Sequence, residues 1–234
     1  MDTEEQTAKI RTLRAKGLSP KDIARVLGVP PATAARLVRA IAAEQSTDPA
    51  EREVLGCWVN PGWSAGLKIH GHPDWIDVPQ PDTGTEGLVA VVVARDAGRS
   101  RVSVCGYLVD VYCLGVKDTI GPRVMNADQA AQFTRMFYDA YQAAPVAAPL
   151  DLAQNLVHGA VEYARTLGFD PAPDFDATRD HLGPWSGQGA ITFGRDGKPF
   201  FLHFLQGPHD NSAHIVSTLR RSVGPDNFEY LIAV

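Results

Sequence analysis

Residues 16–41 read KGLSPKDIARVLGVPPATAARLVRAI, and this stretch decides how the N-terminal part of the chain is organised. Ser19 and Pro20 have the order of an N-cap and a first helical residue, and Asp22 follows near the positive end of the helix dipole. We expect this helix to end at Gly28, because glycine readily takes the positive φ of a tight turn. Another helix is predicted to begin at Pro31. The stretch therefore predicts two helices joined by a short turn.

A further helix is predicted upstream, where Thr3 and Gln6 have the spacing of a capping box and Gly17 follows as a stop signal. Together the three helices resemble the helix-turn-helix module of bacterial DNA-binding proteins in the resolvase and response-regulator style. The resemblance covers about 40 of the 234 residues. The matching positions are the core residues of the two helices, the close helix contact and the turn: Ile23, Leu27, Ala24, Gly28, Val29 and Leu37.

The resemblance implies a role for particular side chains, because helix-turn-helix proteins present the start of their second helix to the major groove. Ala32, Thr33 and Arg36 are then expected to face base edges, with Pro31 close to a phosphate. Three basic residues are expected to contact phosphates, namely Lys21, Arg25 and Arg39. The alternative is a three-helix interaction module that binds no nucleic acid.

Charge is distributed unevenly along the chain, whose net charge is −5. Residues 9–39 contain eight basic side chains against one carboxylate, a net charge of +7. Residues 51–234 contain 14 basic and 21 acidic side chains, a net charge of −7. A basic segment on an acidic body is typical of a protein in which one module meets a polyanion and the other does not.

The remainder of the chain predicts an α+β domain over 57–234, after a helix-turn-helix module over 1–45 and a polar linker over 46–56. Apolar runs predict β-strands over 88–94 and 102–116, joined by a hairpin turn over 95–101, and helices are predicted over 127–141, 151–167 and 211–223. A second hairpin is expected from 190–193 and 199–204, and a closing strand over 228–234. Alternating hairpins and helices favour a mixed or antiparallel sheet with packed helices over a doubly wound fold.

Candidate catalytic residues in this domain are few. Asp110 lies within an apolar strand, where a carboxylate must be paired, protonated or bound to metal, and Asp118 follows it. His158 and Glu162 are four residues apart on a predicted helix and share a face with Asn155 and Arg165, a spacing that also occurs on ordinary polar helix faces. Asp110, His158 and Glu162 are therefore weak candidates for a divalent-metal site, and salt-bridged or solvated structural roles are the alternative.

A third cluster runs from His203 to His214 and includes His209 and Asp210, which are further weak candidates for metal ligands. Its spacing fits no standard zinc pattern, and Asp210 as the N-cap of the last helix explains the same residues. No nucleotide-binding glycine motif, GxSxG elbow or HExxH motif occurs. No metal or cofactor is therefore predicted unless the chain is an enzyme.

These observations predict a sequence-specific DNA-binding protein, a transcription regulator whose C-terminal domain dimerises or senses a small-molecule effector. A metal-dependent enzyme acting on nucleic acid and a protein-interaction adaptor are the two alternatives. The expected partners are double-stranded DNA and a second copy of the chain. No apolar run reaches about 18 residues, so no membrane span is predicted. Three cysteines without a CxxC motif and an acidic N-terminus predict a cytoplasmic location.

Overall fold

The computed structural model describes residues 9–10, 12–13, 18–45, 49–81, 85–141, 143–187, 189–203 and 211–231, with the backbone alone at 39–45 and 49. The chain divides into two compact units, Met1–Pro49 and Ala50–Val234. No helix in these described ranges is both long and apolar enough to cross a bilayer.

The N-terminal unit contains α1 over Pro20–Leu27 and α2 over Pro31–Gln45. The Ser19 side chain caps α1 by accepting a hydrogen bond from the backbone N–H of Asp22 at 3.2 Å. Gly28 ends the helix in the left-handed region at φ 65°, and its N–H donates to the carbonyl oxygen of Ala24. The predicted cap, proline start and glycine stop are confirmed.

Apolar side chains from both helices form the core of this unit. Its buried members are Ile10, Ile23, Ala24, Ala34 and Val38. Partly buried leucine and valine side chains surround them, among them Leu27 and Val29. Residues 9–10 and 12–13 are helical, and the rest of the helix predicted from Thr3 lies outside the described residues.

The C-terminal unit is built on a five-stranded antiparallel sheet in the order β5-β4-β3-β1-β6. These strands are β1 Val54–Val59, β3 Leu88–Asp96, β4 Arg101–Asp110, β5 Gly115–Asn126 and β6 Val146–Ala147. A short β2 over Lys68–Ile69 lies outside this sheet. Because β1 begins at Val54, the end of the linker predicted over 46–56 belongs to the C-terminal unit.

Helices cover both faces of the sheet. Alternate residues Val91 and Val93 of β3 join the larger core, which includes Leu156 and Val157 of α4 (Leu150–Leu167). The residues between them face the other side, where Val92 shares a core with Ala130 of α3 (Ala127–Phe137). Burial on both faces explains why the β3 sequence is apolar throughout rather than alternating. The predicted α+β class is confirmed.

The strand predicted over 102–116 is wrong, because the chain reverses direction inside it. Residues 111–114 form a turn between β4 and β5, and Asp110 pairs with Gly115 across it. The Asp110 side chain accepts hydrogen bonds from the backbone N–H groups of Tyr112 and Cys113, both at 2.9 Å. A side chain that satisfies turn amides in this way stabilises a reversal that apolar periodicity does not reveal.

The second predicted hairpin is also wrong. Its first arm, β7 (Ile191–Thr192), pairs antiparallel with β2, and its second arm, β8 (Phe200–Leu202), pairs in parallel with β9 (Glu229–Leu231). The tight turn between the arms is real, since Arg195 and Lys198 form an isolated bridge. The arms separate because Gly194 and Phe200 donate backbone hydrogen bonds to the β4–β5 turn instead of to each other.

Two more helices complete the unit, α5 over Phe175–Leu182 and α6 over Ser212–Ser222. Helix α6 was predicted, whereas α5 was not, because it is only eight residues long and follows a proline-rich segment. Its buried face contains Phe175, Thr178 and Leu182, a helical spacing that is visible in the sequence.

Candidate functional site

The beginning of α2 presents an accessible face away from its core. Ala32 and Arg36 are exposed and Thr33 is half-buried, whereas Ala34 and Val38 are buried on the opposite side. Pro31 at the first helical position is exposed as well. The residues that the resemblance assigns to base edges therefore lie on one accessible face of the helix.

The residues assigned to phosphates lie on both helices. Lys21 and Arg25 of α1 are exposed, and the Arg25 guanidinium forms an ion pair with Asp22. Arg39 lies on α2, where the structure describes the backbone alone. Asp22 also accepts a hydrogen bond from the Ser19 hydroxyl at 2.6 Å, so this carboxylate links the helix cap to a basic side chain.

Asp110 is buried within the C-terminal unit and is 4% exposed. Burial raises the pKa of its carboxyl, while hydrogen bonds from turn amides and the charge of Lys117 act in the opposite direction. The thiol of Cys113 also approaches this carboxylate, at 3.9 Å. The carboxylate is thus bonded to backbone amides of the β4–β5 turn, whereas the structural alternative expected a basic partner such as Lys117 or Arg123.

The other candidate carboxylate and imidazole side chains lie in different surroundings. Asp118 and Glu162 are exposed. His158 stacks on Trp185 with ring centroids 5.7 Å apart and contacts Phe175 edge-on at 6.1 Å. Burial lowers the pKa of His158, which favours a neutral ring in this aromatic cluster. Asn155, which the helical spacing placed on the same polar face, is buried and donates to the carbonyl oxygen of Asp151.

A metal centre formed by these candidates is not supported. In the described ranges, no three side chains of His, Cys, Asp or Glu come close enough to hold a metal ion together. His209 and Asp210 lie outside the described residues. The N-cap role predicted for Asp210 belongs to Asn211, whose side chain accepts from the N–H of His214 at 3.1 Å.

A cavity of about 690 Å³ lies between three segments of the C-terminal unit and is the largest of the cavities described. It is lined by Leu114 and residues 116–118, by residues 169–174, and by the start of α6. Of the sequence-predicted candidates within the described ranges, Asp118 lines it, and so does His214 at the end of the third cluster. Such a volume is in the range of small-molecule pockets.

Sequence reasoning missed most of this cavity. The segment 169–174 follows the glycine stop of α4 at Gly168 and contains Pro171 and Pro173, which mark a loop but give no indication of what the loop faces. The apolar residue Ile215 fits an ordinary amphipathic helix equally well. The sequence feature that could have indicated this cavity is Asp118, a carboxylate that closely follows an apolar run.

No family model, curated protein or solved structure matches this chain.

Proposed function

We propose that this chain is a sequence-specific DNA-binding protein, a transcription regulator in which the N-terminal unit binds the major groove. The observation that carries the proposal is the accessible face at the start of α2, formed by Ala32, Thr33 and Arg36, directly after a glycine-ended helix. Helix-turn-helix proteins use this position of the second helix to contact base edges. The net charge of +7 over residues 9–39 supports attraction to phosphates.

The two kinds of contact predict different effects. An arginine at the beginning of such a helix can donate two hydrogen bonds to a guanine edge, so Arg36 contributes sequence preference. Lys21 lies at the start of α1 and contributes a positive charge to phosphate binding, without reading the base sequence. The C-terminal unit then has two roles, dimerisation with a second copy of the chain and binding of a small effector. Its 690 Å³ cavity has a suitable volume for an effector.

The test is selection of binding sites from a random duplex library with the full chain, followed by anisotropy measurements on the selected duplex and on scrambled DNA. We expect Arg36→Ala to relax the preference between the two duplexes, because about 1–3 kcal/mol of discrimination depends on a bidentate base contact. Lys21→Ala should weaken binding to both duplexes alike and reduce the salt dependence.

Arg135→Ala is the matched control, since Arg135 is an exposed arginine on α3 of the C-terminal unit. It should leave affinity and preference unchanged. Failure to enrich any sequence, or equal loss of affinity for both duplexes in Arg36→Ala, would contradict the proposed base-reading face.

The alternative of a metal-dependent enzyme acting on nucleic acid has less support. Its candidate ligands Asp110, His158 and Glu162 lie in a turn, in an aromatic cluster and on an exposed helix position, respectively. No observation on the described residues favours it.

A further inference from the structure

The walls of the 690 Å³ cavity are held in place by hydrogen bonds within the C-terminal unit. The loop 169–174 is tied to β5 by the N–H of Ala172, which donates to the carbonyl oxygen of Val116 at 2.9 Å. Phe169 N–H donates to Ala164 at 3.0 Å, which fixes the loop to the end of α4. The third wall begins at Asn211, which caps α6. A cavity with walls tied in this way binds a ligand at a reduced ordering cost.

The base of the cavity is apolar. Val116 is 2% exposed and Ile215 is 5% exposed, and Leu114 and the half-buried Phe169 continue the same surface. Pro171 and Pro173 add apolar, conformationally restricted rings. A ligand for this cavity therefore has an apolar body.

The rim is acidic. The Asp174 carboxylate lies against β5, because its Oδ2 accepts from the N–H of Thr119 at 3.4 Å, one residue beyond Asp118. Among the described residues, the carboxylate of Asp118 has neither a hydrogen-bond partner nor an ion-pair partner. Asp170 also lines the cavity and has Arg165 at 3.9 Å. Asp118 and Asp174 thus contribute two exposed carboxylates to the lining of the cavity.

Two other features of the rim could favour an anion, and neither outweighs these carboxylates. The positive charge of Lys117 acts on the buried carboxyl of Asp110. The start of α6 is capped by its own Asn211 side chain, which occupies the N–H of His214. His214 also lines the cavity, and among the described lining residues the carboxylates without an ion-pair partner are those of Asp118 and Asp174.

We propose that this cavity binds a small organic cation, in which an ammonium or amidinium group near Asp118 and Asp174 is attached to an apolar body that contacts Val116, Phe169 and Ile215. The inference rests on the sensing role proposed above for the C-terminal unit. It adds the location of the effector site and the chemical class of the effector.

The experiment is calorimetric titration of the full chain, without DNA, with benzamidine as the cationic probe and benzamide as its neutral isostere. We expect benzamidine to bind at least about tenfold more tightly, because its amidinium donates charge-assisted hydrogen bonds to carboxylates, which are stronger than those of the neutral amide. The variant Asp118→Asn/Asp174→Asn should lose this preference and bind the two probes alike.

The matched control is Asp128→Asn/Asp139→Asn, which removes two exposed carboxylates outside the cavity and should bind benzamidine as the wild type does. Thermal melts establish that each variant is folded. Equal binding of the two probes, absence of benzamidine binding, or an equal loss in the control variant would overturn the proposal.

This measurement is independent of the DNA-binding proposal. A chain that binds benzamidine through Asp118 and Asp174 but selects no DNA sequence contradicts the proposed function and supports the cavity. A chain that selects a DNA sequence and binds benzamide as well as benzamidine contradicts the cavity alone.

Discussion

Asp110 illustrates how backbone amides can stabilise a buried carboxylate. Its side chain accepts two backbone hydrogen bonds at 2.9 Å and closes the turn between β4 and β5. The surrounding residues Val111 and Val109 are fully buried, so the turn amides have no access to water as an alternative partner. The carboxylate therefore accepts the hydrogen bonds that water would accept from these amides if the turn lay at the surface.

The first prediction concerns this turn. Asp110→Ala removes the acceptor for two buried N–H groups and should lower the free energy of unfolding by more than Asp110→Asn, which keeps one side-chain oxygen. We expect a loss of about 1–3 kcal/mol for Asp110→Asn and a larger loss for Asp110→Ala. Urea denaturation of the full chain measures both, and DNA affinity should not change. A wild-type thermal shift with Mg²⁺, Mn²⁺ or Zn²⁺ that Asp110→Asn abolishes would instead favour a metal site.

The second prediction concerns His181, which is 1% exposed and donates from Nε2 to the carbonyl oxygen of Val93 at 3.2 Å. Burial lowers the pKa of His181 to about 4 from its ordinary 6.5, with Arg95 adding to the effect. Between these two values the unfolded chain binds a proton that the folded chain does not. Stability is therefore complete above pH 6.5 and falls as the pH drops towards 4.

We expect acidification from pH 7 to pH 5 to cost the wild type about 2 kcal/mol more than His181→Gln, whose amide can still donate to Val93. Urea denaturation of both proteins at several pH values measures the difference. Contributions from the other titrating groups cancel because both proteins contain them. Parallel pH profiles for the two proteins would show that His181 charges freely in the folded state.

Residue-scale prediction from sequence succeeded where the cause is local. Ser19, Pro20 and Gly28 act on amides and dihedral angles within a few residues, so their roles follow from residue type and order. The sequence correctly indicates that Asp110 needs a bonding partner in an apolar environment. It does not indicate which partner, because the chain reversal lies within the apolar run 102–116. Helical spacing places Asn155 on a polar face, but the residue is buried. Its side-chain oxygen accepts a hydrogen bond from the N–H of Ala190, 35 residues away, and such a distant contact leaves no local signal.

At the scale of secondary-structure elements, Arg95 connects three segments that are distant in sequence. It is 2% exposed at the end of β3, and its guanidinium donates to carbonyl oxygens of Ala50, Arg52, His181 and Leu182 at 2.6–3.2 Å. The last two belong to the C-terminal end of α5, where a positive charge is favoured by the helix dipole. One side chain thus fixes β3 to α5 and to the segment before β1.

The third prediction follows from these contacts. Arg95→Met retains much of the side-chain volume but removes four hydrogen bonds to backbone carbonyl oxygens, two of them fully buried, so we expect a loss of about 3–5 kcal/mol in the free energy of unfolding. Chemical denaturation of the full chain measures it. The control Arg135→Met changes an exposed arginine and should cost less than about 0.5 kcal/mol. Similar values for the two variants would contradict the connecting role of Arg95.

Element-scale prediction from sequence depends on how local the pairing is. The hairpin between β3 and β4 and the long helix α4 follow from periodicity and glycine signals over adjacent residues. The pairs β2–β7 and β8–β9 join strands far apart in the chain, and two- or three-residue strands have too little pattern to indicate a partner. The cavity was missed for the same reason, because it is formed where 114–118, 169–174 and the start of α6 meet.

At the scale of the whole molecule, the two units carry opposite charge. The basic residues are concentrated in 9–39, and residues 51–234 have a net charge of −7. An acidic C-terminal unit repels phosphates, so it does not compete with the N-terminal unit for DNA. An acidic surface also suits an effector site for a cation. The distribution of charge thus separates the two proposed binding roles along the chain.

The last prediction is that the full chain is a homodimer through Ala50–Val234 and protects two half-sites on DNA. The accessible start of α2 offers few base-reading side chains, with Arg36 as the long donor. One good bidentate contact is worth about 1–3 kcal/mol, whereas a specific site is about 4–10 kcal/mol tighter than non-specific DNA. One copy therefore falls short, and two copies reading half-sites about one helical turn apart come within that range. Sedimentation velocity of the full chain should give a dimer, and footprinting should give two protected regions with centres about 10 base pairs apart. A monomer at concentrations well above those that saturate the selected DNA, or protection of a single half-site, would contradict this arrangement.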